Sequence, residues 1–382
     1  MRLFQLRATV SLLVLACPLP LASQTPAPPA ALAQALVERM ALLTGERVLL
    51  VGDPTQSAEI AAALRAAVAA AGGVDLGALS VTSRPYAADS SEWVRAASGS
   101  DDAGMAQLLE QVDLAVMLPG AVVGHAPYRL MQDQLRRGMG RTIHFHWSGA
   151  YNTSGAPIPV DARAAALYTH ALLDTDYSAL ARVQRAFEAA ARAAPVRVTT
   201  PAGTDLSFRI GDRPVTRQDG DASAARAAQA RNLIDREVEL PAGAIRVAPL
   251  EESVQGTIVF PPSLWNGTQV EGLRMQFQGG RVVAIDAARG REAVETELAR
   301  AGSSGRAFRE LALGFNPLLV IPQEDPWIPY YGYGAGVVRL SLGDNTELGG
   351  AVSGGYVRWN FFTDATVTIG DETWVRAGRL LR

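Results

Sequence analysis

Cysteine is almost absent from this chain. The only one, Cys17, lies in an apolar N-terminal segment. The residues beyond it can form no disulfide, no cysteine-based zinc site and no cysteine nucleophile. Histidine is scarce as well: the chain has four, His125, His144, His146 and His170, all in the first half of the 382 residues. There is no excess of positive charge, since 35 Lys and Arg face 38 Asp and Glu for a net charge of -3. That excludes the basic footprint a nucleic-acid partner requires. Past the N-terminus no apolar run is long enough to span a bilayer. The turn after the first apolar strand, "GDPTQS", has neither G-x-G-x-x-G nor G-x-x-x-x-G-K-[ST], so no nucleotide site is read there. "AVSGG" around Ser353 lacks the first glycine, the strand-to-helix context and the downstream histidine of a nucleophile elbow.

What is present suits a globular protein of about two domains, 48% hydrophobic and 19% charged. The start, "MRLFQLRATVSLLVLACPLPLAS", has arginines, then an apolar stretch, then small residues, the build of a secretory signal over 1–23. Export to the periplasm or medium is expected. The alternative is a lipoprotein anchored at Cys17, with Pro18 against it. A Pro/Ala linker follows at 24–31. From 32 to 195, apolar strands alternate with amphipathic helices: helix 32–44, strand "ERVLLVGD", helix 57–73, strand "LGALSVTS", helix near 101–110, strand "DLAVMLP", helix near 126–138, strand "RTIHFHW" and helix near 175–193. This alternation predicts an open parallel α/β sheet. From 196 to 382 the texture becomes short strands separated by Gly, Pro, Asp and Asn, with "FQGGRVV" a hairpin signal and a helix near 291–301. The expected fold is therefore an α/β domain followed by a β-rich domain.

In "HFH" the two imidazoles of His144 and His146 share one face of a strand, because side chains alternate with period two. Such a pair can share a metal if a third ligand, such as His125, arrives from another loop; the plainer reading is that both cap the sheet end or pair with polar neighbours. A second oddity is two apolar strands, "VVRLSL" and "YVRWNF", each with one arginine near its centre, Arg339 and Arg358. A guanidinium there is costly unless it reaches water or a fixed anion.

Five ordered stretches carry a resemblance: "TPAGTDLSFRI", "ELPAGAIRVAPLEESVQGTIVF", "FRELALGFNP", "GVVRLSLGDNTELGG" and "SGGYVRWNFFTDATV". Together they resemble the thermophilic aminopeptidase family of metallopeptidases, the aminopeptidase T and S type, well over 196–382 and in general layout before it. The resemblance implies a two-metal exopeptidase whose ligands are glutamates, histidines and an aspartate, working as a homodimer. Carried over position by position, the glutamate of an LP-x-GE motif falls on Ala244, and that of GELA-x-G-x-NP is kept as Glu310. The histidine of GT-x-H-x-A-x-G falls on Arg339, the closing H-x-D pair on Arg358 and Asn360, and a tyrosine of some members near Thr346. Glu251 and Glu252 follow the family pattern in outline and could serve a relocated metal, although acids on a surface loop are commoner. Asn232, Gly203, Thr204 and Asp205 read as scaffold.

Arginine is always protonated and cannot ligate a metal. The expectation is that Arg339 and Arg358 face inward and supply the charge that metals supply in relatives, with Glu310 the partner of one or both. No metal cofactor is then expected; zinc or cobalt is the alternative if the site is functionally replaced. "DPWIPYYGYG" offers Trp327, Tyr330, Tyr331 and Tyr333 as walls of an apolar substrate pocket, or as core or dimer contacts. The leading reading is a non-peptidase that binds a small anionic ligand, a peptide or another partner. The alternatives are a divergent metallo-aminopeptidase with a relocated metal, and a metal-free hydrolase with Glu310 as base and Arg339 and Arg358 stabilising an oxyanion.

Overall fold

The computed structural model describes residues 27–87 and 91–382. The signal segment, Cys17 and the beginning of the Pro/Ala stretch lie outside the described residues. The linker as read is too long by three residues: a helix already begins at Pro29 and runs to Met40, with proline in its first turn, where the missing N–H costs nothing.

Strands β1 (Arg47–Gly52), β2 (Val74–Ser80), β3 (Leu114–Met117) and β4 (Arg141–His144) form a parallel sheet, as the alternating pattern predicts. A fifth strand, β5 (Glu237–Glu239), comes from the far side of the expected boundary and adds to the sheet edge in the order β5-β4-β3-β1-β2. Burial on both faces explains the continuous apolar runs. Val48 and Leu50 pack against the helices Pro29–Met40 and Pro54–Ala70, and Leu49 and Val51 against the helices Asp102–Leu109 and Ala126–Arg136. Fully burying each such side chain is worth about 1.5–3 kcal/mol relative to leaving it exposed. The helices Glu92–Ser98 and Ala162–Asp174 lie outside the pattern that the sequence predicts.

The second half is β-rich. Strands β6 (Ala244–Val247), β7 (Phe308–Gly314), β8 (Val338–Gly343) and β9 (Val357–Phe362) run antiparallel in the order β9-β8-β7-β6, with the short strand Thr216–Arg217 beyond β6. An eight-stranded antiparallel sheet covers one face of this unit. It includes the expected hairpin at Gly279 and Gly280, whose φ angles of 54° and 74° suit a tight turn. Period two then sorts the strands. Ile245, Val247, Leu311, Leu313, Leu340 and Leu342 join the core with Phe208, Ile258 and Phe277 of the larger sheet. Their alternates Arg246, Glu310, Ala312, Arg339 and Ser341 lie on the opposite face.

Candidate functional site

A cavity of about 260 Å³ lies between that polar face and the C-terminal ends of β4 and β5. Crevices at the carboxyl ends of parallel strands are the usual place for ligands in such sheets. One wall carries His144, His146, Glu237 and Glu239; the other carries Arg246, Arg339 and Glu347; Tyr331, Tyr333 and Trp359 close it between them.

The arginine wall follows from register. Arg246 pairs with Ala312, Ala312 with Arg339, and Arg339 with Phe361, so one row crosses four strands. In the next row Glu310 lies beside Ser341. Arg246 Nε donates to Glu310 at 3.0 Å, and Arg339 Nη2 donates to the other Glu310 oxygen at 3.2 Å. Ser341 Oγ donates to Glu310 at 3.2 Å. The ladder slips between Phe308 and Glu310, a bulge that lets Arg309 approach from the same side. Arg309 Nε is 3.6 Å from Glu310, and its Nη2 donates to Glu347. Arg246 Nη2 also donates to Glu347, at 3.0 Å. Arg339 Nη1 donates to the Tyr331 carbonyl at 3.0 Å, and the guanidinium stacks 4.6 Å from the Trp359 ring. Glu310 is completely buried. Burial alone would raise its pKa, but Arg246, Arg339 and Arg309 hold it far below the usual carboxylate range. For Arg339 the balance is reversed: burial and the neighbouring Arg246 outweigh Glu310 and pull its pKa down.

Arg358 does not join this cluster. It pairs across from Leu342 and points to the opposite face of the sheet. There its guanidinium stacks 3.5 Å from the Trp265 ring, with Nη1 donating to Glu297 at 2.9 Å and Nη2 to the Leu264 carbonyl at 2.8 Å. It lines a separate cleft of about 570 Å³. Asn360 shares that face and donates to the Leu340 carbonyl at 3.1 Å. Of the two strand arginines expected to face inward, Arg339 alone meets Glu310, and the expected place of Arg358 in that site is corrected. The partner that takes the other carboxylate oxygen is Arg246, two residues after Ala244 and on the same face. The chain contains no lysine, so the choice of guanidinium over ammonium says little by itself; burial on adjacent strands is what marks these arginines.

The opposite wall assembles at the sheet edge. Glu239 of β5 pairs with His144 of β4, and Glu237 with Thr142. His144 Nδ1 lies 3.0 Å from Glu239 Oε1, and its Nε2 lies 3.2 Å from the Thr142 hydroxyl and 3.9 Å from Glu237. His146 falls just beyond the strand end, where Trp147 (φ 43°) and Gly149 (φ 78°) turn the chain. A Cβ on Gly149 would meet the Tyr331 ring at 2.5 Å, so glycine there admits Tyr331 to the site. Ser148 Oγ bridges His146 Nδ1 at 2.7 Å and the Tyr331 hydroxyl at 2.6 Å. Tyr330 donates from its hydroxyl to Glu239 Oε2 at 2.9 Å, and Gln132 donates to Glu237 at 2.9 Å.

These contacts set the protonation states. Burial pushes His146 down to about 4. Burial would do the same to His144, but Glu239 and Glu237 outweigh it and raise its pKa. For Glu239, burial is overcome by the two imidazoles and Tyr330, which bring it down to about 2. Glu237 goes the other way, with burial dominating His144 and raising its pKa.

His144, His146 and Glu239 offer ligand atoms that all lie within 4.8 Å of one another. The third member is thus Glu239. His125 precedes the helix Ala126–Arg136, and its ring accepts a hydrogen bond from the Val122 amide at 3.1 Å. His170 pairs with Asp174 at 2.7 Å on a partly exposed helix face. Of the aromatics, Tyr331 and Tyr333 line the cavity and Tyr330 reaches it through Glu239. Trp327 packs on Tyr168 and does not line it. Glu251 is engaged by Arg213 and Asn345, Glu252 is exposed, and Asp205 pairs with Arg197. Thr346 bonds Asp344 beside the site, while its neighbour Glu347 enters it.

The positions that the family resemblance assigns to metal ligands thus present a methyl group at Ala244, a carboxylate already shared by two guanidiniums at Glu310, and an arginine at Arg339. Arg358 and Asn360 lie on the other face. That donor set does not fit a divalent cation.

Comparison with known proteins agrees with this architecture. The structure is similar to a 2,5-dihydroxypyridine dioxygenase from Pseudomonas putida KT2440, with a TM-score of 0.62 and 15% identity over 92% of this chain and 96% of that one. It is similar to wild-type AmpT from Thermus thermophilus, with a TM-score of 0.57 and 16% identity over 93% of this chain and 99% of that one. At these identities the likeness establishes the fold. No curated protein matches in sequence. Residues 177–320 match the model of the thermophilic metalloprotease (M29) family.

Proposed function

We propose that this protein binds a small carboxylate-bearing molecule, a peptide terminus or an organic acid, in the cavity between the two sheets, and does not run two-metal peptide hydrolysis at the positions around Glu310. The observation that carries the reading is the occupation of that locus by Arg246, Arg309 and Arg339, with Glu310 held between them. Among the described residues Arg246 uses Nε and Nη2 on Glu310 and Glu347, and its Nη1 makes no hydrogen bond. A carboxylate at Nη1 would gain a charge-assisted bond in a mostly desolvated place. The neighbouring dioxygenase supports the reading in one respect: the fold also hosts chemistry other than peptide cleavage.

The test is calorimetry of purified protein with dipeptides and small mono- and dicarboxylates, alongside hydrolysis of aminoacyl p-nitroanilides with added zinc or cobalt. The reading expects carboxylate binding that weakens at least about tenfold in a folded Arg246→Met variant, a charge-assisted bond being worth roughly 1.5–3 kcal/mol. It expects no turnover above background. Chelator-sensitive hydrolysis that disappears in Glu310→Gln contradicts it.

A further inference from the structure

The wall opposite the arginines has a donor set of a different kind. We infer that His144, His146 and Glu239 form a binding site for one divalent transition-metal ion, at a place distinct from the Glu310 locus.

Three observations converge. The first is composition and reach: two imidazoles and one carboxylate, with ligand atoms within 4.8 Å of one another. Two imidazoles and a carboxylate are a sufficient protein set for zinc or iron(II), with further positions left for water or substrate. The 3.0 Å between His144 Nδ1 and Glu239 Oε1 is close to the separation of two donors that each lie about 2.0–2.2 Å from a shared ion.

The second is that every ligand is held from behind. Thr142 Oγ1 lies on His144 Nε2, while Nδ1 faces Glu239; the Tyr128 hydroxyl, 3.2 Å from Nδ1 and 3.3 Å from Nε2, can settle on the Nε2 side when an ion takes Nδ1. Ser148, itself fixed by Tyr331, takes His146 Nδ1 and leaves Nε2. Tyr330 donates to the Glu239 oxygen that does not face His144. Outer partners of this sort fix the orientation of metal ligands.

The third is placement. All three ligands line the cavity, so an ion held there has its open positions toward the space in front of Arg246. The sheet register that brings Glu239 beside His144 comes from joining β5, a strand of the second half, to β4. The site exists only in the folded whole.

This inference does not depend on the carboxylate reading: the metal can bind whether or not an organic anion does, and its test uses no anion. The full-length chain is stripped with chelator and titrated with ZnCl2 and CoCl2, followed by calorimetry, metal analysis after desalting, and cobalt absorption spectra. The expected result is one ion per chain at micromolar affinity or tighter, with visible cobalt bands of a four- or five-coordinate site. Affinity should fall at least 100-fold in His146→Ala and in Glu239→Gln, each confirmed folded by circular dichroism. His146→Ala is the decisive variant, because among the described residues the one hydrogen bond of its side chain is to Ser148. Failure to bind either ion, or zinc binding unchanged in folded His146→Ala, overturns the inference.

Discussion

Arg246 and Arg339 flank Ala312 in a single cross-strand row, and each holds a different oxygen of Glu310. Removing Glu310 leaves Arg339 buried with no carboxylate partner and Arg246 with Glu347 alone. Glu310→Gln should therefore cost about 3–5 kcal/mol of stability, the range for breaking a buried ion pair. Urea unfolding reads this through the midpoint at constant slope. A double substitution with Arg339→Met should cost less than the sum of the singles, because the two positions are coupled. A loss under about 1 kcal/mol for Glu310→Gln would mean the cluster is far more hydrated than its burial implies.

Arg358 makes a contrasting prediction. Its guanidinium stacks on Trp265 and pairs with Glu297 on the other face of β9. Arg358→Met should lower stability by about 1–2 kcal/mol through the lost stacking and ion pair. Carboxylate and zinc binding should stay within twofold of the parent protein. Calorimetry on the variant checks this, and a tenfold loss of either ligand would place Arg358 in the site after all.

Tyr330 has a role that a substitution can separate. Its hydroxyl donates to Glu239 and also lies 2.8 Å from the Leu240 carbonyl. Tyr330→Phe keeps the ring and removes both bonds. Zinc affinity should fall about 10-fold, as is typical for loss of an outer-shell partner, while stability falls by only about 1 kcal/mol. Unchanged zinc affinity would show that the Glu239 carboxylate needs no such support.

Acid stability should also draw on the other end of the parallel sheet. Arg141 pairs with Glu46 at 2.7 Å in a nearly buried contact, and Arg47 with Asp113 at 3.1 Å. Burial alone would raise both carboxyl pKa values, but the arginines and backbone amides outweigh it and lower them. A depressed carboxyl pKa stabilises the fold fully above the unfolded value and loses that contribution as pH falls toward the folded one. Unfolding free energy should thus decline as pH drops below the ordinary glutamate value of 4.5. Glu46→Gln should be less stable near neutrality and show a shallower decline in acid. An equal slope in variant and parent would rule this pair out as a source of acid lability.

Much of this architecture can be read from residues. The unbroken apolar run of β1 reflects burial on both faces, and "FQGGRVV" folds as the hairpin its glycines suggest. Glu310 and Arg339 come together as the motif alignment anticipates. What could not be read is register across distant segments. Nothing local in "REVELPAG" says that Glu237–Glu239 will leave the β-rich half and join β4, so the residues alone offer His125 and not Glu239 as the third ligand. Arg246 was missable for a related reason. The short strand around it gives no register by itself, and it is the pairing with β7 that turns Arg246 to the face of Ala244 and Arg339, opposite Ile245 and Val247. The same alternation, applied between β8 and β9, separates Arg358 from Arg339; it needs the pairing of Arg339 with Phe361, which only the fold supplies.

The account rests on a division of labour within one cavity: guanidiniums around Glu310, a cation on the opposite wall. Crystals of the full chain grown with zinc, measured above and below the zinc edge, test it most directly. The expected map has one anomalous peak within bonding distance of His144, His146 and Glu239 and none near Glu310. A peak coordinated by Glu310 would contradict it.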